Sequence, residues 1–251
     1  VSRVEAYITV HDQDLLLECE RTQQFAQLSS YTYLFVGHRP VDRVPDHVKI
    51  IVCRDYEPNI EHWPQLYDFT GWYVLAKHRL IKAQYVICLQ YDMHIIHPRL
   101  EQRCADWLWD SPGIIAFTAG HRLAGNFMLN IAGFEALYSA GLSLKHMNMD
   151  TWPDFNEWPS TQGTAWRWNV LIEYMEWLEP MFELFAPNVW AGHLLERTVK
   201  AYSVRTTPEQ YMPNVINHKA LDCHGTGALM AGNRATYESR NAEFMHRYQS
   251  S

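Results

Sequence analysis

Several signatures that would decide fold or chemistry at once are missing from this chain of 251 residues. Its five cysteines, Cys19, Cys53, Cys88, Cys104 and Cys223, are odd in number and show no Cys-x-x-Cys spacing. That excludes a disulfide framework, and three of them lie within or beside apolar runs, as reduced, buried thiols of a cytosolic protein do. No apolar stretch approaches the roughly 18 residues of a membrane-spanning helix, and no signal-peptide pattern opens the chain. It begins Val1-Ser2 without a methionine, as expected of a segment of a longer protein. Positive charge is scarce: 21 Lys and Arg stand against 28 Asp and Glu, a net −7. A general nucleic-acid binder needs a basic surface and is disfavoured, although a single nucleotide can be held by a few local groups. The first predicted strand runs into His11-Asp12-Gln13-Asp14 and not into the glycine-rich turn of a dinucleotide-binding dehydrogenase. Gly-Lys-Ser/Thr and Gly-x-Ser-x-Gly are absent too, which removes P-loop enzymes and α/β-hydrolases. Internal repeats and low-complexity tracts are likewise lacking.

What is present is an ordinary globular composition, 47% hydrophobic and 20% charged, long enough to bury a large core without staples. Ten Trp and fourteen Tyr are in excess, and amphipathic rings in that number suit either a core with Trp at its rim or a cleft that stacks sugars or bases. The first half alternates strands and helices. Val4–Val10, Tyr31–Val36, Val48–Cys53, Tyr85–Leu89 and Gly113–Phe117 read as strands, and Leu15–Leu28, Phe69–Ala83 and Pro98–Trp109 as helices. Near-continuous apolar strands alternating with helices predict an α/β fold with a mostly parallel sheet flanked by helices. The second half is less regular, with helices predicted over Phe127–Ser139 and Ala165–Glu179 and weaker strands at Val189–His193 and Ala201–Val204. Between those helices lies a Trp-rich loop, Met147–Gly163. One domain is expected, divided at about residue 120 into a nucleotide-binding half and an acceptor-side half, with a polar, helical tail over 235–251.

On such sheets ligands lie beyond the carboxyl ends of the strands. The polar residues there are His11, Asp12, Asp55, Asp92 and His94, all predicted on one edge. An acid at a buried strand end, as in Leu89-Gln90-Tyr91-Asp92-Met93-His94, can hold a divalent cation that neutralises a diphosphate leaving group. This stretch resembles the strand ending in Asp-x-Asp of glycosyltransferases of the GT-A type, with Gln90 in place of the first Asp and His94 available as a further ligand. Asn217-His218-Lys219-Ala220-Leu221-Asp222-Cys223-His224-Gly225-Thr226-Gly227 resembles the late His segment of that family, making His218 or His224 a metal or diphosphate partner. Its Gly225-Thr226-Gly227 run would let backbone N–H groups approach phosphate. Asp68-Phe69-Thr70-Gly71-Trp72-Tyr73-Val74-Leu75-Ala76-Lys77 is similar to a helix start in polysaccharide-synthesis transferases, where Lys77 would reach the diphosphate. Gly125-Asn126-Phe127-Met128-Leu129-Asn130 loosely resembles a donor-sugar neighbourhood, placing Asn126 there.

The resemblance implies a GT-A-like fold and transfer of a sugar from a nucleotide-diphospho-sugar, a UDP-sugar in the first instance, to a glycan or glycolipid hydroxyl. The nucleotide would lie against Val10, His11, Asp12 and Asp55. The cofactor implied is Mn2+ or Mg2+, held by Asp92 with His94, His218 and His224. Asp150, Asp154 and Glu173 are the acids available as general base. Nothing predicts a nucleic-acid partner, and the expected location is cytoplasmic, peripheral to a membrane where a surface glycan is assembled. Two other classes fit the composition. A metal-dependent hydrolase could draw on the 13 histidines, and a sugar-binding module could descend from a transferase that lost its first acid at Gln90.

Overall fold

The computed structural model describes residues 3–110, 113–117, 119–121, 157–159, 161, 163–186, 191–205, 209–211 and 216–218. β1 (Val4–Val10), β2 (Tyr31–Phe35), β3 (Ile50–Val52) and β4 (Tyr85–Gln90) form the parallel half of a seven-stranded sheet. β1 is its axis, pairing Val10 with Phe35 of β2 and Thr9 with Gln90 of β4. β5 (Met93–Ile95) follows β4 after a tight turn, and β6 (Ile114–Ala116) returns to the main sheet. β7 (Ala119–His121) and β8 (Glu157–Pro159) form a separate pair. β9 (Gly163–Arg167) runs antiparallel between β4 and β6, and β10 (Glu209–Tyr211) pairs parallel with β6. β11 (Ile216–His218) pairs antiparallel with β5. The order across the main sheet is β10-β6-β9-β4-β1-β2-β3. Six of its seven strands therefore point one way and β9 the other.

Helices cover both faces. α1 (Gln13–Arg21) and α3 (Leu100–Asp110) lie over one side, where Ile8, Leu16, Tyr33, Phe35, Leu89 and Cys104 are buried together. α2 (Asp68–Lys77), α4 (Trp168–Leu178), the single turn α5 (Phe182–Phe185) and α6 (Ala191–Arg205) lie over the other. α2 is buried over nine of its ten residues. It seats so deeply because Gly71 faces Leu34 of β2, where an added Cβ would stand 2.9 Å from the leucine Cδ1. Part of the aromatic excess goes into this layer. Trp72 meets Trp166 edge to face at 5.7 Å, and Trp166 stacks on Tyr174 at 5.3 Å, so these tryptophans are core and not cleft lining.

Three predicted stretches change type. Residues 165–167, predicted to open a helix, belong to β9, because Ala165 and Trp166 are wholly buried between β4 and β6. Of the two weak strands, 201–204 and the described part of 189–193, residues 191–193, fall instead on α6, whose buried Leu195, Thr198, Val199 and Tyr202 recur at helical spacing. The predicted helix at 127–139 and the tail from 235 lie outside the described residues. Cys19, Cys53, Cys88 and Cys104 are buried thiols outside any disulfide. No described helix is long and apolar enough to cross a membrane.

Candidate functional site

The carboxyl ends of β1, β2, β3 and β4 share one edge of the sheet, and α2 begins there. After β1, the His11 ring lies edge to face with Tyr91 at 5.4 Å. Asp12 caps α1: its Oδ1 accepts the Asp14 N–H at 2.8 Å, and its Oδ2 is paired with the Arg39 guanidinium. The Asp14 N–H, with Arg39, holds the Asp12 carboxyl below the usual range. His11 is pushed down by partial burial of its ring first and by Arg39 second, against the pull of Asp12 and Asp92, which favours its neutral imidazole. Arg39 lies on the loop after β2, and Arg54 fixes that loop by donating to the carbonyls of Gly37 and Arg39, both at 2.9 Å. Beneath it Glu61, 3% exposed, accepts the Gly37 N–H at 2.6 Å, and burial raises its carboxyl. Asp55 ends the short turn after β3 and is exposed.

The centre of the edge is acidic. Asp68, the first residue of α2, is 4% exposed, accepts a hydrogen bond from the Gln90 side-chain amide at the end of β4, and is bonded to the Thr9 side chain of β1. Burial pushes its carboxyl up to about 7; the hydrogen bonds from Gln90 and Thr9 oppose the shift, while Asp92 and Glu196 add to it. The five ion pairs among the described residues leave Asp68 out. Asp92 occupies the turn between β4 and β5. Gln24 secures that turn from both sides, its amide donating to the carbonyls of Tyr91 and Met93, the latter at 2.7 Å. The Tyr91 N–H returns to Thr9 O at 3.1 Å. On α6, Glu196 accepts from the Thr161 hydroxyl at 2.9 Å, just ahead of β9.

Of the residues singled out from sequence, Val10, His11, Asp12, Asp55, Gln90, Asp92 and His94 stand at this edge. The ladder between β11 and β5 sets His218 opposite Met93 and Asn217 opposite His94, so the first two residues of the late segment lie beside the Asp92 turn. Two residues do not belong. Lys77 ends α2 at the far end of the helix from Asp68, where its ammonium pairs with Glu179 at 2.7 Å. Glu173 is exposed on the outer face of α4, whose Leu171, Tyr174 and Leu178 bury themselves against the core. Asn126, Asp150, Asp154, His224 and Gly225 lie outside the described residues. Sequence reasoning passes over Arg39, Glu61 and Glu196 and reads Asp68 only as a helix start. The one clue to Asp68 is an acid opening a helix with no other charged residue before Lys77.

Among the described residues no three His, Cys, Asp or Glu side chains converge on a point that would hold a metal ion. The described residues therefore do not assemble the cluster that a metal-dependent hydrolase would use. A shallow depression lined by Arg3, Asp106, Trp109 and Asp110 lies at the opposite edge, since Arg3 precedes β1 and its carbonyl accepts from Tyr85 at the start of β4.

No protein-family model matches the sequence, and no curated protein sequence does. Solved structures do match. The bifunctional glycosyltransferase WbbM in its apo form superposes with a TM-score of 0.53 at 16% identity, over 86% of this chain and 45% of that one. The chain has a GT-A-type fold. The mannosyltransferase Ktr4p from S. cerevisiae matches at TM-score 0.47 and 12% identity, over 86% of this chain and 70% of that one. A glycosyltransferase involved in glycosylation of the major capsid of PBCV-1 matches at 0.46 and 9%, over 95% and 100% of the two chains. This chain thus spans a little under half of the WbbM chain.

Proposed function

We propose that this protein is a glycosyltransferase that moves a sugar from a nucleotide-diphospho-sugar to a hydroxyl of a glycan or glycolipid. The observation that carries the reading is the meeting, at one edge of a GT-A-type sheet, of a cationic flank and an acidic centre. Arg39, beside His11 and Asp12, forms the flank; Asp92 lies in the adjoining turn, with Asp68 behind it. The nucleotide would lie across the ends of β1 and β3, from Val10 to Asp55, a UDP-sugar being the first donor to test. Arg39 would face the diphosphate, whose charge grows as the glycosidic bond breaks, and a fixed cation there stabilises the departing group more than the bound one. Asp92 would anchor a divalent cation, Mn2+ or Mg2+, whose charge offsets that of the diphosphate; further ligands would come from His94 and the segment carrying His218 and His224. Asp150 or Asp154 would take the acceptor proton, and Asn126 and Gly225 would touch the donor. The whole chain would act as one domain, with the acceptor on the side of β8 and α6, in the cytoplasm at a membrane where glycan is built.

A thermal-shift series with UDP, GDP, CMP and dTDP, each with Mn2+ and with EDTA, tests the reading. A nucleotide at about 100 times its Kd stabilises by about 2.7 kcal/mol, several degrees for a domain of this size. A shift for one nucleoside diphosphate supports the transferase and names the base; its loss in EDTA assigns a metal to the site. No shift with any nucleotide sinks the proposal.

A further inference from the structure

Three described non-glycine residues have positive φ: Gln23 at 52°, Tyr67 at 47° and Arg79 at 53°. Gln23 and Arg79 each come just after the last turn of a helix, α1 and α2, where a left-handed residue is an ordinary terminator. Tyr67 is different. It precedes a helix, its ψ is −119°, and that combination is one a residue with a Cβ avoids unless its surroundings enforce it. The position is the N-cap of α2, where Ser, Thr, Asp or Asn would bond a free N–H, and Tyr67 makes no such bond. Nor does burial account for it, since the residue is 54% exposed.

The surroundings do hold it. A Cβ added to Gly192 near the start of α6 would stand 2.6 Å from Tyr67 Cδ2 and 2.9 Å from Gln65 O, so the ring rests directly on the α6 backbone. Gln65 ties the same segment down by donating its side-chain amide to the Ala186 carbonyl. The next residue, Asp68, is bound to Gln90 and Thr9 at the acidic centre. An aromatic ring is thus fixed in an unfavourable backbone conformation, backed on one side, exposed on the other, and one residue from the site.

We infer that Tyr67 is a sugar-stacking residue, its exposed face receiving the apolar C–H face of a pyranose ring at the sheet edge beside Asp68. A ring with one polar tip provides that apolar surface and a hydrogen-bonding hydroxyl at little conformational cost. Its position also selects the ligand. α6 packs on β8 and on the turn Pro64–Leu66, on the flank of β4 away from β2 and β3, so the ring stands apart from the strands that would receive a nucleobase. The inference rests on the transferase reading for the source of the pyranose, donor or acceptor, but not for the stacking itself.

The test uses the full chain, with methyl α-mannopyranoside and methyl β-galactopyranoside as probes in saturation-transfer NMR, alongside UDP and GDP binding and transfer kinetics. The wild type is expected to transfer saturation to at least one glycoside. Tyr67→Ala loses that signal and about tenfold in kcat/KM, whereas Tyr67→Phe restores most of both, and nucleotide Kd changes little. Tyr67→Gly, free to adopt positive φ, melts above Tyr67→Ala yet is equally poor with sugars, which separates stacking from folding. A KM increase confined to donor hydrolysis assigns the donor sugar, and one confined to the acceptor assigns the acceptor. A glycoside signal that is absent in the wild type, or unchanged in Tyr67→Ala, overturns the inference. Absence of nucleotide binding with a Tyr67-dependent glycoside signal would overturn the transferase reading and leave the stacking site standing.

Discussion

Replacing Asp68 by asparagine should change how the stability of this protein depends on pH. The carboxyl titrates near 3.8 in an unfolded chain and is pushed up to about 7 in the fold, chiefly by burial. Between those values the folded state holds a proton that the unfolded state has released. Stability therefore falls as pH rises through the interval and levels off above about 7. The full span corresponds to about 4 kcal/mol, an upper figure because relaxation or a water at the site would reduce it. The amide that replaces the carboxyl in Asp68→Asn does not ionise, can still accept from the Gln90 amide, and keeps the shape of the protonated acid. The assay is urea unfolding of both proteins at intervals from pH 4.5 to 8.5, taking the difference at each pH so that other titrating groups, including Glu61 and His11, cancel. Near pH 4.5 the two should agree within about 1 kcal/mol, and by pH 8.5 the variant should be ahead by about 2–4 kcal/mol, several degrees in Tm. A difference that stays flat across the range would refute the argument, because it would mean that Asp68 ionises in the fold as freely as in the unfolded chain.

Two further outcomes follow from the same edge. Asp92→Ala should abolish transfer while moving Tm by less than about 2 °C, since a turn carboxylate supplies little packing; full turnover would remove the core of the proposed function. Arg39→Gln should raise the His11 titration midpoint, because burial and Arg39 together hold it down and only the first would remain. It should weaken nucleoside diphosphate binding at a stability cost of no more than about 1 kcal/mol, the Arg39 side chain being 60% exposed in its pair with Asp12. Proton NMR of the imidazole reads the first effect and calorimetry the second, and an unmoved midpoint would show that Arg39 does not act on His11.

Much of the sheet is legible in the sequence because its parallel strands are buried on both faces and read as unbroken apolar runs: Val4–Val10, Tyr31–Phe35 and Tyr85–Gln90 emerge within a residue or so of their predicted limits. The antiparallel β9 is not, since Gly163–Arg167 shows no alternation and abuts the helical pattern of α4. Ala201–Val204 of α6 reads as strand because Tyr202 and Val204 favour strands in isolation, while the helical spacing of the helix's buried face is set by what it packs on. At the site the strand-end residues can be read from topology alone. Arg39, Glu61 and Asp68 cannot, because each owes its role to a partner distant in sequence: Asp12, Gly37 and Gln90. Lys77 is drawn into the site by its motif, though its helix carries it away from the edge to a partner, Glu179, just past the end of α4.

Gln90 shows how the site balances its charge. Seen in sequence, an amide there is simply the loss of an acid from an Asp-x-Asp pattern. In the fold it faces Asp68, and a carboxylate at both positions would bring two acids together, with no lysine or arginine paired to Asp68 among the described residues. One acid and one amide are therefore needed across that hydrogen bond, and which side carries the acid is a separate choice. Gln90→Asp alone should destabilise the protein at pH 8 by about 1–3 kcal/mol, as one carboxyl is forced to take a proton or lose its partner. Adding Asp68→Asn restores an acid–amide pair with the bond reversed in sense, now with the acid on half-buried position 90 and not on the enclosed position 68. The double variant should recover at least the stability that Gln90→Asp loses. Two contacting sites should show a coupling of about 1–3 kcal/mol in a double-mutant cycle at pH 8, shrinking toward pH 4.5 as the acids protonate. Strict additivity at pH 8 would mean that the two side chains do not sense each other's charge, and Gln90 would then be no more than a lost acid.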